Sequence, residues 1–413
     1  MTRPLIRRPV TNTPAQANAG AYVSLPGVVG GRPHQWPARP PTVTLPARWW
    51  RTIRSCGALA LPLVTIAQTV TVKPSAAGLR VEIDGVVFTE YVTKDTARPY
   101  MYPLIGATGV NVSRDFPMKK DTPGEAKFLD HPHHRSLWFG HSRINEINFW
   151  AEYQVFGHQV HSGFADVRSA GAQGRFTATT QWIGPDKKTV LTDERRITIT
   201  ALPGGEKTLD FDITLKATAG DVLIGDTKEG TMALRLCPSL SMNSSKSGVN
   251  TGPSTGHAFN SKGDRDVAIW GKRANWVCYY GPDPKGNAVG VVMFSHPQNL
   301  QSPTPWHARD YGLFAANPFG LHDFEPDKPV GAGDTTIKKG GSLTLRYRFY
   351  FAKGTPGTEA LDKRFEKYAR EKLSAPSGQT ADGHLSQLRH PPNQSPPERP
   401  ATSSHVQPPC PYR

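Results

Sequence analysis

Between residues 207 and 216 apolar and polar side chains alternate without a break, with Leu209, Phe211, Ile213 and Leu215 separated by Asp210, Asp212 and Thr214. A period of two puts every apolar side chain on one face of an extended chain, which is the pattern of a strand with one buried face. Leu343, Leu345, Tyr347, Phe349 and Phe351 repeat it, with Arg346 and Arg348 on the other face. Leu79, Val81 and Ile83 alternate as far as Asp84-Gly85, and Val86, Val87 and Phe88 follow. An Asp-Gly pair between two such runs predicts a hairpin with a two-residue turn. Ile197–Ala201 leads through Pro203, Gly204 and Gly205 into the 207–216 run, a second hairpin. Further strands are predicted over Arg175–Trp182, Thr231–Leu236, Trp276–Tyr280 and Ala288–Phe294. The count comes to roughly twelve to eighteen, and a sheet that wide must curl or split in two. The expected class is all-β: a large antiparallel sandwich whose concave face can hold an elongated ligand.

One helix stands out. Thr355 and Pro356 are expected as N-cap and first residue, and Ala360, Leu361, Phe365, Tyr368 and Ala369 make an apolar stripe reaching Leu373. The strands then define a β domain over 68–353, followed by a C-terminal helix over 354–373. Beyond Ser374 the chain is rich in Pro, Ser and Gln and loses periodicity, so 374–413 is expected to be a disordered tail.

The net charge of +15 is a nucleic-acid signal only if it lies on a folded surface. Residues 1–67 hold eight Arg and no Lys, Asp or Glu, and 374–413 contribute +1, which leaves 15 − 8 − 1 = +6 for 68–373. The basicity belongs to the ends, and nucleic acid is not an expected partner. Arg51 and Arg54 precede a short apolar run that closes on Thr65-Ile66-Ala67. This is the order of a secretory signal peptide over 51–67, too short and too interrupted by Pro62 to span a membrane. Residues 1–50 then read as a disordered basic extension from a start assigned too far upstream. A periplasmic or extracellular location and no integral membrane association follow. Cys237 and Cys278, the two cysteines of the β domain, read as buried thiols, with a single disulfide as the alternative.

Chemistry concentrates in two segments. The first runs Asp130-His131-Pro132-His133-His134-Arg135 and continues through Trp138 and His141 to Asn148 and Trp150. Histidine titrates near neutral pH and is the commonest metal ligand. In an extended chain His131 and His133 point to one side and His134 to the other. His131, His133 and His134 are therefore candidate acids or bases. Arg135 is expected as an anion clamp, and Trp138 and Trp150 as sugar-stacking platforms, with His141 and Asn148 in the same wall. The second segment holds His307, Arg309, Asp310, Tyr311, Asn317 and His322. It combines an acid/base, a clamp and a carboxylate within four residues, and the Asn317-Pro318 turn is expected to aim Asn317 and His322 inward. Glu229, beside a glycine at a strand start, is a further candidate carboxylate, as is Glu152. No Gly-x-Ser-x-Gly elbow is present, and no zinc spacing. No cofactor is expected, with a divalent metal at the histidines as the alternative.

Asp130–Phe139, Asn148–Trp150 and Arg309–Gly320 together resemble the bacterial family often labelled methane oxygenase PmoA, or PmoA-like, over about 95–352. The resemblance implies an exported protein of polysaccharide-degrading bacteria. It also implies a fold similar to the galactose-mutarotase-like β-supersandwich, in which His, Glu, Asp and Arg on the concave sheet handle sugars. It brings no catalytic assignment. Its label implies copper oxygenase chemistry, yet a particulate methane monooxygenase subunit spans the membrane many times and this chain shows no span. The expected function is a secreted carbohydrate-active enzyme using His and carboxylate acid-base chemistry on a glycan, with glycoside hydrolysis placed before elimination or epimerisation. The alternatives are a non-catalytic glycan-binding module and a metal-dependent oxidoreductase.

Overall fold

Asp84 and Gly85 make the tight turn expected of them, both with positive φ (52° and 79°), and Ile83 pairs directly with Val86 across it. The computed structural model describes residues 68–122, 130–153, 155–242 and 255–372. The first strands are β1 (Val70–Pro74), β2 (Gly78–Ile83), β3 (Val86–Val92), β4 (Tyr100–Tyr102), β5 (Leu137–His141), β6 (His158–Ala170) and β7 (Gln173–Ile183). There follow β8 (Thr189–Ala201), β9 (Lys207–Lys216), β10 (Val222–Ile224), β11 (Gly230–Arg235), β12 (His257–Asn260) and β13 (Arg273–Ala274). The last are β14 (Trp276–Pro282), β15 (Ala288–Ser295), β16 (Thr304–Ala308), β17 (Leu313–Ala316), β18 (Thr335–Ile337) and β19 (Ser342–Lys353). The expected basic extension, signal peptide and tail lie outside the described residues.

Two antiparallel sheets carry the fold. One has nine strands in the order β1-β2-β3-β4-β5-β11-β17-β16-β13, and the other eight in the order β12-β14-β15-β19-β9-β8-β7-β6. Leu209, Phe211, Ile213 and Leu215 are all buried between them, as their alternation requires. Aromatic rings bridge the layers. Phe88 of β3 meets Phe351 of β19 at 5.5 Å, Tyr91 of β3 meets Phe176 of β7 at 5.3 Å, and Tyr279 of β14 meets Phe314 of β17 at 4.8 Å. The protein is an all-β sandwich of two large sheets. Cys237 and Cys278 are two buried thiols and form no disulfide with each other.

Helix α1 (Leu321–Phe324) is one turn, and α2 (Thr358–Arg370) lies on the outer face of the eight-stranded sheet. Leu361 and Tyr368 are buried there among Trp276, Val292, Phe294 and Tyr350, with Phe365 packed beside them. The helix starts later than Thr355-Pro356 predicts. Gly357 is its N-cap and makes no side-chain capping bond. Pro356 packs instead against Gly290 of β15, where even a Cβ would meet its ring at 2.7 Å.

Candidate functional site

Strand pairing builds one row of side chains across the nine-stranded sheet. Tyr100 pairs with Trp138, Trp138 with Ala233, Ala233 with Ala315, and Ala315 with His307. Their chain neighbours Leu137, Phe139, Met232, Leu234, Phe314 and Ala316 fill the core between the sheets. Side chains alternate along a strand, so the row faces the other way, out of the sandwich. The candidate site is built over this outer face, where the strand ends Leu137, Arg235, Leu313 and Ala308 lie together.

The histidine segment enters β5 through a turn rather than as an extended chain. His131 takes φ of 46°, a left-handed conformation that non-glycine residues adopt seldom and mostly where the surroundings enforce it. The His134 N–H donates to the His131 carbonyl at 3.0 Å, and Arg114 Nη2 donates to the same carbonyl at 2.9 Å. The expectation that His134 points away from its neighbours is therefore corrected. Its ring stacks on His131 at 4.7 Å, and His133 meets both rings edge-on at 5.6 and 4.5 Å. Tyr311 stacks on the other face of the His131 neighbourhood at 5.4 Å and 10°. The two segments, about 180 residues apart, thus meet ring on ring. Trp138 continues the stack beneath His134 at 5.2 Å.

Charge is organised around Asp130, to which the sequence analysis attached no role. Its Oδ1 accepts from Arg114 Nη1 at 2.7 Å and from Arg235 Nη2 at 2.9 Å, and its Oδ2 accepts from His131 Nδ1 at 2.5 Å. Burial works to raise its pKa, but Arg235, the His131 hydrogen bond and Arg114 outweigh it and hold the carboxyl well below the usual range. Arg235 Nη1 also lies 3.1 Å from His134 Nδ1. A guanidinium can only donate, so His134 Nδ1 accepts and, in a neutral ring, the proton sits on Nε2. His134 is neutral: burial, with His133 and Arg235 close by, holds its pKa well below normal. Burial and Arg98 bring His133 down to about 2.

On the second segment, burial and Arg309 lower His307 to about 3. Its ring donates to the Lys228 carbonyl, and the buried Nδ1 has no hydrogen-bond partner among the described residues. Glu229 is half-buried, and burial raises its pKa even though Lys228, His131 and Arg309 pull the other way. Those three side chains name its surroundings: Glu229, His131 and Arg309 share one electrostatic neighbourhood. Burial also raises the Tyr311 phenol to about 12, and the ring lies under the guanidinia of Arg235 (4.5 Å) and Arg309 (5.4 Å). Asp310 is half-buried and accepts the backbone N–H of Tyr311 at 2.9 Å.

Several expected binding residues have other work. Trp138 and Trp150 have relative exposures of 0% and 1%, so no sugar can stack on them; they pack with Tyr100, Ala233 and Ala315. Arg135 grips Glu152 through Nε and Nη2 at 2.7–3.0 Å, and Arg98 reaches the same carboxylate at 3.0 Å, so neither Arg135 nor Glu152 is open to a ligand. His141 is buried with Nε2 donating to the Gly225 carbonyl at 2.7 Å, its ring against Phe319 on the core side. Asn148 receives the N–H groups of Trp150 and Ala151. Asn317 is buried and satisfied by Thr231, the Thr227 carbonyl and the Phe319 N–H. His322 lies exposed on α1, its Nδ1 3.4 Å from the Lys328 carbonyl, and does not turn inward. Asp130, Arg114 and Arg235 are what sequence reasoning passed over. The one signal was the adjacency of Asp130 to His131.

Among the described residues no three or more His, Cys, Asp or Glu side chains group in a way that could hold a metal ion. Among the described residues no helix is long and apolar enough to cross a membrane.

Residues 78–366 match the model of a family of unknown function, DUF6807. The chain belongs to that family. No curated protein matches it. Among solved structures an α-galactosidase from Lactobacillus brevis is similar, with 8% sequence identity and a TM-score of 0.25. The match covers 69% of this chain and 40% of that enzyme, so the chain spans well under two thirds of its length.

Proposed function

We propose that this protein is a carbohydrate-active enzyme in which His131 and Glu229 act as base and acid on a sugar bound over the outer face of the nine-stranded sheet. One observation carries the reading. An imidazole anchored on one side by Asp130 shares its neighbourhood with a carboxyl whose pKa burial raises. Two titratable groups whose environments set them to opposite tasks form an acid-base pair. Arg309, partly exposed beside them, supplies a donor for a polyhydroxylated ligand. The PmoA-like resemblance and the export signal read over 51–67 belong to the same proposal and support a periplasmic or extracellular enzyme.

The arrangement bears on the reaction. Glycoside hydrolysis in its usual form needs two carboxylates flanking the bond. Asp130 and Glu152 are each held by two arginines, which leaves Glu229 and Asp310. A histidine base with a carboxylic acid suits proton abstraction from carbon, in elimination or epimerisation, better than it suits hydrolysis. The test is to incubate the full chain in D₂O with neutral and acidic oligosaccharides and follow three products. New reducing ends without unsaturation mark hydrolysis, reducing ends matched by unsaturated ends mark elimination, and deuterium on a ring carbon with no bond cleaved marks epimerisation. Binding without any product across the panel would make the protein a glycan-binding module and end the enzyme reading.

A further inference from the structure

We propose that Asp130 is a positioning residue that locks His131 into the tautomer with its proton on Nδ1, leaving the Nε2 lone pair as the atom that takes the substrate proton. The inference rests on His131 as base and adds the residue that makes it one. Asp130 is held by two side chains that can only donate, Arg114 at 2.7 Å and Arg235 at 2.9 Å, so it is an ionised acceptor. The His131 Nδ1 beside its Oδ2 must then donate. In the neutral ring this fixes the proton on Nδ1, with the bare nitrogen on the opposite edge. The remaining backbone contacts hold the ring in place. Arg114 ties down the His131 carbonyl, and the His134 N–H closes the turn behind it. When the substrate proton moves to Nε2 the ring becomes an imidazolium facing Asp130, which stabilises it without taking a proton. No co-reactant is needed, since the proton returns from Nε2 to product or water.

The two arginines make the proposal unusually testable. In Asp130→Asn they still present only donors, so the amide oxygen turns to them and the amide NH₂ faces His131. An NH₂ group can only donate to Nδ1, which forces the His131 proton onto Nε2 and removes the lone pair. The experiment is a long-range ¹⁵N–¹H spectrum of the histidine rings in the full chain, with His131 assigned by the signal that His131→Gln removes. Wild-type His131 is expected as the Nδ1–H tautomer, and Asp130→Asn as Nε2–H. On any substrate from the oligosaccharide panel, kcat should fall at least about 100-fold with KM little changed. A wild-type ring protonated on Nε2 overturns the proposal with no variant and no substrate involved. So does a variant whose tautomer switches while kcat stays within threefold. The spectrum judges the dyad alone, so the dyad can stand even if the protein proves to bind sugar without turning it over.

Discussion

Glu229 separates a functional group from a structural one. Burial raises its pKa from the ordinary 4.5, so the folded protein holds this proton more tightly than the unfolded chain. The stability it provides is present below 4.5 and is lost as pH rises through the folded value. Glu229→Gln removes that loss. The variant should be more stable than the wild type at pH 7, indistinguishable near pH 4, and slower at turnover by about 100-fold or more. Urea midpoints at the two pH values and a single-substrate rate check both parts; unchanged turnover would strip Glu229 of the acid role. At this scale the sequence showed which residue types gather but not which way they face. His131 and Asp130 are chain neighbours, and neighbours on an extended chain point apart. The left-handed φ at His131, unmarked by any glycine, brings them together. Trp138 reads as a platform because aromatic character is visible in sequence, whereas its burial depends on Trp150 and His134 covering it.

At the scale of elements, turn chemistry and period-two alternation made the hairpins legible, because both are local. Strand order is not local. β5 pairs with β11, about 90 residues on, and β11 with β17, about 80 further. Those pairings create the row from Tyr100 to His307, so the site's floor could not be seen without them. Helix α2 illustrates how local signals lose to packing, since Pro356 seals against β15 before the first turn forms. The helix is also distant in role from the site, lying on the other sheet. Trp276 Nε1–H donates to Asp362 at 2.9 Å, and Arg348 bridges Asp210 and Glu371. Leu361→Ala, which empties the buried centre of this contact, should lower stability by about 2–4 kcal/mol. Chemical denaturation measures that loss. Sugar binding and turnover at 25 °C should stay within twofold of wild type, and a larger change would mean that the two sheets are coupled.

For the whole molecule, the same burial that shapes the site makes folding sensitive to acid. Burial lowers His141, His161 and His296 to about 4, His307 to about 3 and His133 to about 2, and carries His134 well below normal. Each is neutral in the folded protein at pH 5 and regains its ordinary value of 6.5 when unfolded, so unfolding takes up protons. The stability tied to neutral imidazoles is complete above 6.5 and is lost as pH falls toward the folded values, by up to about 1.4 kcal/mol per pH unit for each ring. Three carboxyls oppose this, since burial raises Asp212 to about 6 and also lifts Asp210 and Glu229. Six rings against three carboxyls leave a net uptake of protons on unfolding at pH 5. The free energy of unfolding should therefore fall between pH 6.5 and 5. Denaturant titrations at half-unit intervals measure the slope directly. A flat or rising profile would mean that the six rings already carry protons in the folded state. The neutral His134 and His307 described at the site would then be wrong.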